Sequence, residues 1–176
     1  MSNSPLSSLL PADSVAEVRA REHVIRYRRA GSGTPVLVLV HPEVRATAAW
    51  SELVAALSDH FRVLIPEVPT SCAAPEWLTG FLEGLGASTV DVIADDPLWL
   101  PAVQLALSGE DQVARLVIVV SESDDDVSLT SALAAGPRSA AVPLLLVGRK
   151  VSTSELVQRV TEFLGAATAA RPVEAG

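Results

Sequence analysis

Two adjacent carboxylates, Asp95 and Asp96, stand in the segment Val90-Asp-Val-Ile-Ala-Asp-Asp-Pro-Leu-Trp-Leu-Pro101, which reads as an apolar strand, a tight turn and the start of a helix. Carboxylates held close together in a partly apolar setting cannot all ionise, so one keeps its proton and serves as a general acid beside an ionised general base. Such a set suits protonation, dehydration, isomerisation or ring closure of a small apolar substrate, none of which needs a nucleophilic triad. Ligands of parallel sheets bind outside the carboxyl ends of the strands. The residues expected there are His41, Pro42, Glu43, Asp95, Asp96, Trp99, Ser121 and Glu122. Asp96 and Asp95 are the catalytic candidates, and His41, Glu43, Trp99, Ser121 and Glu122 the binding candidates. A plainer reading of the same residues makes Glu43 and Glu122 solvated loop charges and Asp96 the cap of a helix whose first turn holds Pro97.

The elements that must position this turn are legible as apolar runs alternating with helical patterns. Strands are expected at His23 to Arg28, Val36 to Val40, Arg62 to Ile65, Val90 to Ala94, Arg115 to Val120 and Pro143 to Val147. Helices are expected at Ala48 to Leu57, Pro75 to Leu85, Leu98 to Leu107, Leu129 to Ala135 and Ser154 to Leu164. That alternation specifies an α/β fold, a doubly wound, mostly parallel sheet of about six strands covered on both faces. Four of the strands are near-continuous Val, Leu and Ile, as burial of both faces requires, whereas the first alternates and reads as an edge or half-exposed strand. Gly31-Ser-Gly33 supplies the turn into the second strand, and Ser152 to Ser154 supply caps for the last helix. One domain is expected over residues 16–165, between a loosely ordered segment 1–15 and a flexible tail 166–176.

Bulk composition excludes several classes. A chain of 176 residues with 49% apolar residues suits one globular domain. A net charge of -8 would repel a polyanion, which removes nucleic acid from the expected partners. The longest apolar runs are strand-sized and the N-terminus carries no secretion signal, so no membrane role and a cytoplasmic location are expected. The single cysteine, Cys72, excludes an internal disulfide and a cysteine-rich zinc site and reads as a buried filler. Asp124-Asp125-Asp126 has no histidine partner and no calcium-loop pattern, so no metal and no cofactor are expected. Trp50 and Trp77 fall on apolar helix faces and read as core, while Trp99 faces either the sheet or the mouth.

From about residue 22 to 164 the chain resembles the α/β-hydrolase superfamily, especially its epoxide hydrolase and haloalkane dehalogenase branch. The order of pieces carries the resemblance: Arg26-Tyr27-Arg28-Arg29-Ala30-Gly31, then Val38-Leu39-Val40-His41-Pro42 and Trp50, then Phe61 to Glu67 and Phe81 to Gly86. Val113 to Val119 and Phe163-Leu164-Gly165 continue it. The resemblance places the family's nucleophile elbow on Ala94-Asp95-Asp96-Pro97-Leu98, with Asp96 at the nucleophile position, where an aspartate would form an ester with the substrate. It also implies that the backbone N–H after the nucleophile serves the oxyanion, and Pro97 has none to give. Ala94 and Leu98 replace the elbow glycines. The three histidines are His23, His41 and His60, and none falls where the resemblance puts the triad base. Only about 22 residues lie between Val120 and Pro143, where the family threads a cap domain.

The expectation is thus a minimal, cap-less α/β-hydrolase-like fold without the usual triad. It acts on a small hydrophobic molecule as a non-hydrolytic cyclase, lyase or isomerase. A catalytically silent binding or accessory protein and an Asp-nucleophile hydrolase with an unusual base remain the alternatives. An apolar strand at Pro143 to Val147 with no further strand beyond it needs cover, so a homodimer is expected.

Overall fold

The structure is a computed structural model that describes residues 14–20, 23–32, 36–40, 48–68, 76–95, 98–108, 112–120, 142–148 and 150–168. Among the described residues seven strands form one sheet: β1 (Ser14–Ala20), β2 (His23–Ala30), β3 (Val36–Val40), β4 (Arg62–Pro66), β5 (Val90–Asp95), β6 (Val113–Val120) and β7 (Leu144–Gly148). Four helices lie among the described residues: α1 (Ala48–Ser58), α2 (Glu76–Leu85), α3 (Trp99–Leu107) and α4 (Thr153–Thr168). The strand order is β1-β2-β4-β3-β5-β6-β7. The sheet is parallel from β4 through β7, while β1 with β2 and β2 with β4 pair antiparallel.

The count of seven corrects the expected six. The added strand is β1, whose Ser14–Ala20 pairs in register with Arg29–His23 and takes the outer position expected of β2. Its alternating, partly charged sequence, with Glu17 opposite Arg26, carries too weak an apolar signal to read as a strand without its neighbour. β2 is half-exposed as expected, with Ile25, Arg28 and Ala30 buried and Val24, Arg26 and Arg29 exposed. The helix expected at Leu129 to Ala135 lies outside the described residues.

Successive strand residues point to opposite faces, and each face carries its own apolar core. On one, Val90, Val92 and Ala94 of β5 and Leu116 and Ile118 of β6 meet α2 and α3. On the other, Ile93, Val117 and Val119 meet α1 and α4 through Leu53, Leu57, Leu156, Val160 and Leu164. The spacing of Trp77, Leu78, Phe81 and Leu82 puts one stripe of α2 onto the sheet, where Phe81 meets Tyr27 of β2 edge to face.

Local chemistry ends the helices where the core requires. α2 closes with Gly86 at φ 64°, Ala87 N–H donating to Leu82 C=O and Gly86 N–H to Glu83 C=O, a paired C-terminal cap that favours glycine. α4 starts on Ser152, whose Oγ accepts from Glu155 N–H at 3.2 Å, the cap expected from the sequence. At Gly84 a Cβ would lie 2.5 Å from the Arg19 carbonyl oxygen and 2.8 Å from Val18 Cγ2, so the bare glycine lets α2 dock on β1.

One buried polar contact crosses the second core. Asp91 of β5 and Arg115 of β6 are register partners, and Arg115 Nε donates to Asp91 Oδ1 at 2.7 Å. Nη2 of Arg115 donates to Asp91 Oδ2, and Nη1 to the C=O of Leu164 on α4. One fork-shaped cation therefore ties two strands to the last helix.

Candidate functional site

The topology sets where a site forms. From β3 the chain moves outward through α1 to β4, then crosses back through α2 to β5 on the other side of β3. The direction of winding reverses between β3 and β5, and such a reversal opens a crevice at the carboxyl ends of the two strands. Val40, the last residue of β3, is in register with Ala94, and Asp95 with Val119 of β6. The chain therefore leaves β3, β5 and β6 side by side at one end of the sheet. Of the expected site residues, His41, Glu43, Asp96, Ser121 and Glu122 follow those ends in sequence and lie outside the described residues, as do Pro42, Pro97 and Cys72.

Asp95 and Trp99 are described, and the fold sends them to opposite faces. Asp95 ends β5 on the face of Asp91 and Ile93, towards α1 and α4, and is 0% exposed. Trp99 opens α3, is 7% exposed, and packs in the α2/α3 core. β5 has a two-residue repeat, and α3 starts four residues later on the other side of the sheet. The adjacency of the two residues in sequence thus becomes a separation in space.

A hydrogen bond from Leu98 N–H to Asp95 C=O at 2.7 Å closes the turn. The N-cap position of α3 falls on Leu98, which makes no side-chain cap hydrogen bond, and the helix starts at Trp99. The reading in which Asp96 caps a helix whose first turn holds Pro97 falls on residues outside the described ones. The hydrogen bond that closes the turn also bears on oxyanion chemistry. Pro97 has no N–H, and the next one, on Leu98, is already given to Asp95.

Of the remaining sequence candidates, His60 lies at the opposite end of the sheet, while His23 opens the antiparallel β2 at the carboxyl end but two strands aside from β3. His60 lies exposed in the turn between α1 and β4, and His23 opens β2 beside Ala20 of β1. Among the described residues no group of three His, Cys, Asp or Glu side chains is placed to hold a metal ion, and no helix is long and apolar enough to cross a membrane. Trp50 and Trp77 are buried in the cores as expected. Two features escaped sequence reasoning. The Asp91–Arg115 pair sits inside strands that read as apolar, and its only sequence signal is one opposite charge in each of two adjacent parallel strands. The other is Trp77 Nε1, buried without a hydrogen-bond partner among the described residues, for which the sequence holds no signal.

No protein-family profile matches the chain. A 92-residue stretch, 48% of the chain, is 33% identical to the pimeloyl-[acyl-carrier protein] methyl ester esterase of Vibrio cholerae, and covers 36% of that enzyme. Among solved structures, a carboxylesterase from Bacillus subtilis superposes with a TM-score of 0.56 at 22% identity, over 70% of this chain and 51% of that one. An epoxide hydrolase from Vigna radiata gives 0.52 at 19% identity, over 61% and 38%. The chain thus spans about a third of the length of its curated relative and about half or less of these structures.

Proposed function

Starting from the kinship of this chain with the α/β-hydrolase superfamily, we propose that it binds a small hydrophobic metabolite at the carboxyl ends of β3, β5 and β6 and transforms it without hydrolysis, as a cyclase, lyase or isomerase. One observation carries this reading: neither of the two residues after the nucleophile position offers its N–H, because Pro97 lacks one and Leu98 N–H is bonded to Asp95 C=O. Acyl transfer depends on donors aimed at the developing oxyanion, whereas proton transfer between carbon and a carboxylate does not. Asp96 is the acid–base residue of this proposal. Asp95, fully buried on the α1/α4 face, supports the turn from behind. His41, Glu43, Ser121 and Glu122, which follow the neighbouring strand ends in sequence, are the binding residues of this proposal.

The test is an ester assay on the purified chain with p-nitrophenyl butyrate, alongside a screen of small terpenoid and polyketide-like substrates for isomerised or cyclised products. No ester turnover, together with product formation that Asp96→Asn abolishes, supports the proposal. Sustained ester turnover refutes it.

Two other readings each have an observation in their favour. The complete burial of Asp95 and the packing of Trp99 into the core suit a silent binding or accessory protein, for which Asp96→Asn leaves partner or ligand binding unchanged. The likeness to an esterase and to epoxide hydrolases suits an aspartate-nucleophile hydrolase whose base lies elsewhere, for which a decaying covalent adduct on Asp96 would be found by mass spectrometry. A homodimer formed through the β7 edge and a cytoplasmic location belong to the same proposal.

A further inference from the structure

α2 and α3 both connect parallel strands, β4 to β5 and β5 to β6, so both helices begin at the carboxyl end of the sheet. Their first residues bring two indoles to one end of one core, because Trp77 is the second residue of α2, Trp99 the first of α3, and both are buried in the α2/α3 cluster. Three aliphatic side chains belong to the same end: Val68 just past β4, Leu98 just past β5 and Val120 at the end of β6. All three are half-buried and packed against that cluster.

This apolar end has one polar flaw. Trp77 is 6% exposed and its Nε1 has no hydrogen-bond partner among the described residues. A buried donor without an acceptor is costly, and native proteins hold few of them. Phenylalanine would fill an apolar position without that penalty, and an acceptor brought to this indole N–H would remove it.

We propose that the carboxyl end of the α2/α3 core is a subsite for a small apolar molecule bearing one acceptor oxygen, a ketone or ester carbonyl. The carbonyl oxygen accepts from Trp77 Nε1–H, and the hydrocarbon or ring lies against Trp99, Leu98, Val68 and Val120. Nε1 is covered, so binding requires the half-buried Val68, Leu98 and Val120 to move aside. The hydrogen bond made only in the bound state supplies the differential affinity that such an opening requires. The inference rests on the proposed carboxyl-end site and names its ligand class, and it holds whether or not chemistry follows binding.

The test uses the full chain, labelled with 15N, and two probes of matched shape, acetophenone and ethylbenzene. The chain has three tryptophans, and the indole N–H signal that vanishes in Trp77→Phe belongs to Trp77. Acetophenone is expected to move that signal downfield in a saturable way, and ethylbenzene to leave it without a downfield shift. Trp77→Phe is expected to weaken acetophenone binding roughly three- to tenfold, the worth of one hydrogen bond, and to leave ethylbenzene binding unchanged. If the variant does not fold, the signal is assigned in the unmodified chain through its contacts to α2, and the contrast between the two probes decides. A Trp77 signal that responds to neither probe, or equally to both, overturns the inference, as does equal acetophenone affinity in Trp77→Phe. Acetophenone binding that survives Asp96→Asn while the screen yields no product would sink the catalytic reading and leave this site standing.

Discussion

Replacing Arg115 by methionine removes a cation that is 7% exposed and leaves the Asp91 carboxylate, 1% exposed, with no opposite charge beside it. Removing one partner of a buried ion pair costs about 3–5 kcal/mol, because the remaining charge stays desolvated and unopposed. The same change deletes the hydrogen bond to Leu164 C=O that ties α4 to the sheet. At an m-value near 2 kcal/mol/M, the urea midpoint falls by about 1.5–2.5 M. For a chain of this size the melting temperature falls by roughly 6–20 °C. The readout is far-UV circular dichroism against urea and temperature for Arg115→Met, Asp91→Leu and the double variant. The double variant removes both charges together, so it recovers most of the loss and comes out near neutral or above. An Arg115→Met loss below about 1 kcal/mol, the range of an exposed pair, would refute the reasoning. So would a double variant weaker than either single one.

Other outcomes follow from close contacts and from the exposed edge. Gly84→Ala puts a Cβ 2.5 Å from the Arg19 carbonyl oxygen, so α2 must shift off β1. Overpacking of this kind costs about 1–3 kcal/mol, measurable in the same urea titration, and an unchanged midpoint would show that the α2–β1 docking is not this tight. β7 ends the described sheet with the sequence Leu-Leu-Leu-Val-Gly and Leu146 46% exposed. If that apolar edge pairs with a second copy, Leu146→Lys converts a dimer to a monomer by light scattering at micromolar concentration. A monomer before the substitution contradicts the dimer.

Much of the architecture was legible because it rests on local periodicity. β3 through β7, with α1 to α4, follow apolar runs and 3.6-residue stripes that need no knowledge of neighbours, and their bounds differ from expectation by a few residues at most. β1 was not legible, because Val15, Glu17 and Arg19 become a strand only when β2 offers hydrogen bonds and α2 covers the far side at Gly84. Asp95 and Asp96 read as one acidic pair from their adjacency in sequence; Asp96 lies outside the described residues, and period-two alternation turns Asp95 away from the face where Trp99 packs.

What the residues determined by themselves is chemistry that no folding alters: Pro97 has no N–H, the histidines stand only at positions 23, 41 and 60, and a chain of net charge -8 repels polyanions. Tertiary structure decided which polar groups meet. It set Arg115 against Asp91 and the Leu164 carbonyl, gave Leu98 N–H to Asp95 C=O, and left Trp77 Nε1 without an acceptor among the described residues. These depend on register and on helix docking, which arise from contacts distant in sequence. A buried donor's need for a partner is settled only when the whole core closes around it.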